Sequence, residues 1–178
     1  MRHDIFPTPV WHIEGAPQQL VDDLYNQTHI IKKNIHLYQN AKNVVVSNQG
    51  GYQTKQLDWE EFHPAGIKYI ENVVNNIFSP KNSVSIFGWW YNINPQGAWN
   101  TPHNHAGVDY SLVFYVTDSD SLLRFLTPHN SRANEPVYQS INAKKGDILI
   151  FPADIVHYVM PNPKETDRVC ISMNLQLS

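Results

Sequence analysis

Val84-Ser-Ile-Phe-Gly-Trp-Trp-Tyr-Asn-Ile-Asn94 is the stretch at which the chain changes period. β-Branched and aromatic residues crowd it, with Val84, Ile86, Trp89, Tyr91 and Ile93 its apolar positions, and β signals dominate from here on. Strands are expected near 83–94, 109–117, 121–127, 136–142, 147–151, 155–160 and 167–177. Between them fall turns such as Asn94-Pro-Gln-Gly97, Thr117-Asp-Ser-Asp120 and Lys144-Lys-Gly-Asp147.

Upstream the pattern is different. Pro7 and Pro9 hold the chain extended, and Val10-Trp-His-Ile13 reads as a short edge strand. Leu20, Val21, Leu24, Tyr25 and Thr28 recur at helical spacing, which predicts an amphipathic helix over 17–33 with Lys32 and Lys33 at its negative end. Residues 34–57 carry no clear period, and Ser47-Asn-Gln-Gly-Gly51 reads as a turn or loop. Asp58-Trp-Glu-Glu61 offers an N-cap with Glu61 in the capping-box position, and Ile67, Ile70, Val73, Val74 and Ile77 form the stripe of a second helix ending near Phe78. Pro64 interrupts or delays its start. Two helices followed by about seven close-set strands imply one α+β domain, mainly β, over residues 1–178. Residues 1–80 supply a strand and two supporting helices, and residues 81–178 a sandwich or jelly-roll core.

Composition narrows the function. A hydrophobic content of 42% with 16% charged residues describes a globular chain, and a net charge of −3 gives no general attraction to nucleic acid or acidic membranes. No apolar run approaches the roughly 20 residues of a membrane span, and no signal peptide is visible. The single cysteine, Cys170, excludes an intrachain disulfide, so the expected compartment is the cytoplasm. Aromatic residues are plentiful enough to suit a homo-oligomer surface.

Nine histidines are more than a core requires. His103 and His105, two apart, point to one side of an extended segment and can reach one metal; His157, far away in sequence, can complete a triad. Imidazole suits iron, zinc, copper and nickel alike, and three protein ligands leave coordination positions open for catalysis. The other six, His3, His12, His29, His36, His63 and His129, have no partner at ligand spacing and read as surface or locally bonded. In the last strand Arg168, Cys170, Ser172 and Asn174 share one face. Alternation fits two arrangements equally: Arg168 turned inward, where a guanidinium needs an anion, or turned to water with Val169, Ile171, Met173 and Leu175 as the core face.

Trp99-Asn-Thr-Pro-His-Asn-His-Ala-Gly107, Ser111-Leu-Val-Phe-Tyr-Val116, Gly146-Asp-Ile-Leu-Ile-Phe-Pro152 with His157, and Arg168-Val-Cys-Ile-Ser-Met-Asn174 occur in that order. The ordered set resembles the 2-oxoglutarate/Fe(II)-dependent dioxygenase superfamily, and within it the family of oxygenases common in marine bacteria and cyanophages. The resemblance implies a double-stranded β-helix with Fe(II) held by His103 and His157, and His105, at the motif's third position, is the expected third ligand. It also implies 2-oxoglutarate as co-substrate on Arg168 and Ser172, with Tyr115, Asn100 and Tyr91 as further candidates for hydrogen bonds to it or around it. The reaction implied is hydroxylation of an unidentified substrate, with succinate and CO2 as co-products. His105 stands where the family's motif has Asp or Glu. Either it replaces the carboxylate or the carboxylate comes from elsewhere, Asp109 being nearest in sequence. Two rivals remain: a three-His iron dioxygenase of the cupin type without 2-oxoglutarate, and a non-enzymatic jelly-roll module such as a virion component. The substrate-selecting loops are expected at 34–57 and 128–136.

Overall fold

The computed structural model describes residues 8–127 and 138–178, apart from 43, 45, 59, 60, 62 and 80–82. Its helices are α1 (Gln18–Lys33), α2 (Ile35–Tyr38) and α3 (Pro64–Phe78). Its strands are β1 (Trp11–Ile13), β2 (Asn48–Gln49), β3 (Tyr52–Gln53), β4 (Val84–Asn94), β5 (Trp99–His103), β6 (Tyr110–Tyr115), β7 (Leu123–Leu126), β8 (Tyr138–Ile141), β9 (Ile148–Pro152), β10 (His157–Val159) and β11 (Arg168–Leu177). Two antiparallel sheets result, a six-stranded one ordered β1-β9-β6-β11-β4-β3 and a five-stranded one ordered β2-β5-β10-β7-β8.

The six-stranded sheet is buried on both faces. Outward, Trp89, Tyr91, Ile93, Leu112, Phe114, Ile148, Ile150, Val169, Ile171 and Met173 pack against Leu20, Val21, Leu24 and Ile31 of α1 and Ile70, Val74 and Phe78 of α3. Each such aliphatic side chain, fully buried, contributes about 1.5–3 kcal/mol, so this layer dominates stability. Inward, toward the five-stranded sheet, Tyr115, Leu149 and Phe151 meet Leu123 and Phe125. The odd-numbered residues of β11 therefore serve the helix-facing core. Arg168, buried with only 3% exposure, belongs to the other face, between the sheets.

Both helices follow the expected periods, with differences at their starts. Pro17 is the N-cap of α1, and α3 begins at Pro64, which occupies its first turn. The expected Asp58–Glu61 capping box is not made: Asp58 N–H reaches Glu61 Oε2 (3.2 Å), but Glu61 N–H bonds the backbone Asp58 O (2.9 Å) in a turn before the helix, whose N-cap is His63. Three short strands and α2 were not expected. β2 and β3 are joined by the turn Gly50-Gly51, with Gly50 at φ 72°. β2 pairs with β5 in one sheet and β3 with β4 in the other, so this turn crosses between the edges of the two sheets. Gly51 permits this closeness: a Cβ there would lie 2.6 Å from Asn48 Oδ1 and 2.8 Å from Ile93 O. Residues 128–136 lie outside the described residues, as do His3 and His129.

Candidate metal centre

His103 closes β5 and is register-paired with His157, the first residue of β10; His105 follows two positions later, its N–H bonded to Ala153 O at 2.8 Å. One nitrogen from each of the three rings lies within 4.8 Å of the others. The remaining ring nitrogens are all engaged. His103 Nδ1 meets Thr101 O at 2.7 Å, His157 Nδ1 meets Ile155 O at 2.9 Å, and His105 Nδ1 meets Asn174 Oδ1 at 2.8 Å. These oxygens are acceptors, so each Nδ1 carries the proton and each Nε2 presents a bare lone pair. That is the donor set a divalent transition metal takes, and it is preset before any metal arrives.

Burial keeps the rings neutral. Phe151 packs edge-on against His157 at 4.8 Å, and Trp90 stacks on His105 at 5.7 Å with 20° between planes. Desolvation, with the His103 and His105 rings close by, depresses His157 from 6.5 to about 3; desolvation also lowers His103 and His105. The sign of the stability effect follows. Below about pH 6.5 the unfolded chain takes up protons that the folded site refuses. The contribution is whole above that pH and drains away as pH falls toward the folded value of about 3. Thermal denaturation of the metal-free protein should therefore give a flat midpoint above about pH 7 and a steep decline between about pH 6.5 and 4. A level profile across that acid range would rule out a neutral buried triad.

No Asp or Glu lines this pocket among the described residues. Asp109, the alternative source of a carboxylate, is turned to the end of β11, where its Oδ2 accepts from Leu177 N–H (2.7 Å) and Gln176 Nε2 (2.6 Å). Tyr91 also falls outside the site. It is on the helix-facing side of β4, with its hydroxyl on Gln27 Oε1 at 2.7 Å and Leu24 O at 3.3 Å.

Arg168, Ser172, Tyr115 and Asn100 do line the pocket that the histidines open into. The guanidinium donates from Nη1 to Met160 O (3.0 Å) and from Nη2 to Asn100 Oδ1 (3.2 Å), and among the described residues none of its partners is a carboxylate. Burial lowers its pKa and raises those of the Tyr115 phenol and the Cys170 thiol. Around it runs an array of neutral amides. Asn94 Nδ2 donates to Asn100 Oδ1 (3.2 Å), Asn48 Nδ2 to Asn94 Oδ1 (2.7 Å), Asn92 Nδ2 to Ser172 Oγ (3.1 Å) and Asn100 Nδ2 to Ser47 Oγ (3.2 Å). Fixed amide dipoles orient the cation without neutralising it. Sequence reasoning passed over Ser47, Trp90 and Asn92. Asn92 and Trp90 were findable as the even-numbered face of β4, opposite Cys170 and Ser172, whereas Ser47 lies in a segment with no period.

The chain has the double-stranded β-helix fold of solved structures that match it over almost its whole length. A prolyl hydroxylase from Trichoplax adhaerens, solved with a hypoxia inducible factor peptide fragment, superposes with TM-score 0.69 at 14% identity, over 94% of this chain and 83% of that one. A Pseudomonas putida prolyl-4-hydroxylase gives 0.60 at 14% identity, over 94% and 91%. HygX from Streptomyces hygroscopicus, solved with nickel and 2-oxoglutarate, gives 0.66 at 10% identity, over 95% and 83%. No curated protein sequence matches the chain. Residues 88–174, the span that holds the three histidines, Tyr115, Arg168 and Ser172, match the family described as "Putative 2OG-Fe(II) oxygenase".

Proposed function

We propose that the chain is an Fe(II)- and 2-oxoglutarate-dependent oxygenase that hydroxylates a substrate still to be identified. The observation that carries this reading is the pairing, in one pocket, of three preset imidazole Nε2 atoms with a buried guanidinium that has no counter-ion among the described residues. A desolvated cation of that kind is strongly favoured by a bound carboxylate. Neutral imidazoles suit Fe(II), and a dianion suits, by charge, a pocket that is cationic at both ends once metal is present.

His103, His105 and His157 would hold the metal, and Arg168 with Ser172 and Tyr115 the distal carboxylate of the co-substrate. When bound, Fe(II) and 2-oxoglutarate supply the oxidation: O2 is consumed, one oxygen atom enters a substrate C–H bond, and succinate and CO2 leave. The protein's own share is orientation and exclusion of water. Thr101 O, Ile155 O and Asn174 Oδ1 hold the three Nδ1 protons, so no ligand must lose a proton on binding metal. Phe125 and Phe151 close the wall behind His157. Three neutral ligands leave the full double positive charge on the metal, which favours a dianionic co-substrate. A reducing cytoplasm would keep iron in the ferrous state.

The all-histidine ligand set also favours a second reading, an iron dioxygenase that uses no 2-oxoglutarate and offers Arg168 to its substrate's own carboxylate. Anaerobic addition of Fe(II) and then 2-oxoglutarate separates the two. A visible charge-transfer band at one equivalent of iron is the expected result. Bound iron without a band would select the second reading, and no stoichiometric metal would leave a jelly-roll module without this chemistry.

A further inference from the structure

Ser111 is 2% exposed, and its hydroxyl is one of the few buried polar atoms with no hydrogen-bond partner in the described residues. Its position on β6 says where that hydroxyl points. Leu112 and Phe114 belong to the helix-facing core, so Ser111, Val113 and Tyr115 face between the sheets, and all three line the pocket with the histidines. In register, Ser111 stands opposite Asn174 on β11 and Phe151 on β9. Asn174 is the residue that holds His105 Nδ1, and Phe151 packs on His157. Ser111 therefore lies at the level of the metal ligands. Tyr115, four residues along the same strand or about 13 Å away, lies opposite Cys170 near the Arg168 end.

A buried, unpaired hydroxyl weakens a fold, and alanine would fill the position without that cost. The hydroxyl becomes useful when something in the pocket accepts its proton. No side chain does so, and the pocket's guanidinium fixes the opposite end of any dianion. We infer that Ser111 Oγ donates a hydrogen bond to the chelating 2-oxo acid end of 2-oxoglutarate, as Arg168 does to the distal carboxylate. The inference rests on the oxygenase reading above. It assigns the second end of a two-ended clamp: a cation at the far carboxylate, a neutral donor beside the metal.

Ser111→Ala tests it with readouts that need no turnover. Anaerobic titration of the Fe(II) protein with 2-oxoglutarate should give a dissociation constant raised about tenfold, the loss of one hydrogen bond to a charged acceptor. Succinate, which keeps a distal carboxylate but lacks the 2-oxo acid, should bind within about twofold of wild type. The metal-free variant's thermal midpoint should hold or rise, because an unpaired polar group has been removed; a merely structural serine would lower it. Three outcomes overturn the assignment: equal 2-oxoglutarate affinity in variant and wild type, equal weakening of both ligands, or a lowered midpoint. If iron-loaded wild type itself gives no band, the oxygenase reading falls and this inference with it. A normal wild-type band with an unaffected variant removes Ser111 alone.

Discussion

Arg168→Met should reduce 2-oxoglutarate affinity at least about a hundredfold while the metal-free protein melts at an unchanged or higher temperature. The two halves of that expectation have one cause. The guanidinium is buried and its partners among the described residues are a carbonyl, Met160 O, and an amide, Asn100 Oδ1, so the fold bears the desolvation of a cation with no ion pair from those residues to offset it. Methionine keeps most of the apolar stem and sheds the charge. Asn100 Oδ1 retains its bond from Asn94 Nδ2 at 3.2 Å, so the amide array survives the exchange. Anaerobic titration gives the affinity and calorimetry the midpoint. Unchanged affinity would show that the arginine serves no anion. A fall of more than about 10 °C, several kcal/mol for a chain of this size, would show that it holds the fold together.

Removal of a proposed metal ligand should have an effect of similar size by a separate route. His103 is the ligand to change, since it is only partly buried while His157 supports the wall formed by Phe151 and Phe125. In His103→Ala the iron content after anaerobic loading and desalting should fall from about one atom per chain to below about a tenth, two imidazoles being a poor hold on a labile divalent ion. A metal-dependent rise in melting temperature, expected for wild type because ligand binding adds RT ln(1 + [L]/Kd), should vanish as well. Iron retained at full stoichiometry would mean that the metal binds elsewhere.

The residues that carry the site were legible to different degrees, for physical reasons. His103 and His105 stood out by their two-residue spacing, and His157 because an imidazole in an apolar stretch is unusual. Arg168 was ambiguous, because alternation along β11 is the same whichever face is inside. The ambiguity ended only with α1 and α3, which cover the odd-numbered face and leave the even one to the pocket. Tyr91 was a candidate on residue type, but its parity on β4 carries it to α1. β2, β3 and β5 escaped notice since Asn-Gln, Tyr-Gln and Trp-Asn-Thr-Pro-His have little intrinsic strand preference; pairing with longer neighbours makes them strands. Ser111 was quoted only as part of an apolar strand, and nothing in the sequence tells a buried hydroxyl from an exposed one.

β11 has a consequence for how such a protein can change over time. Its odd positions pack against the helices while Arg168, Cys170 and Ser172 line the pocket, and between Arg168 and Leu175 no residue is exposed, Cys170 and Asn174 being half-buried. The strand thus works as two interleaved registers with separate tolerances. Mutations at Val169, Ile171 and Met173 trade in folding yield, and on the proposed function mutations at Arg168, Cys170 and Ser172 would change which small molecule is accepted. A lineage could revise its chemistry along one register and leave the other untouched, with the outward half of the sheet as a fixed chassis.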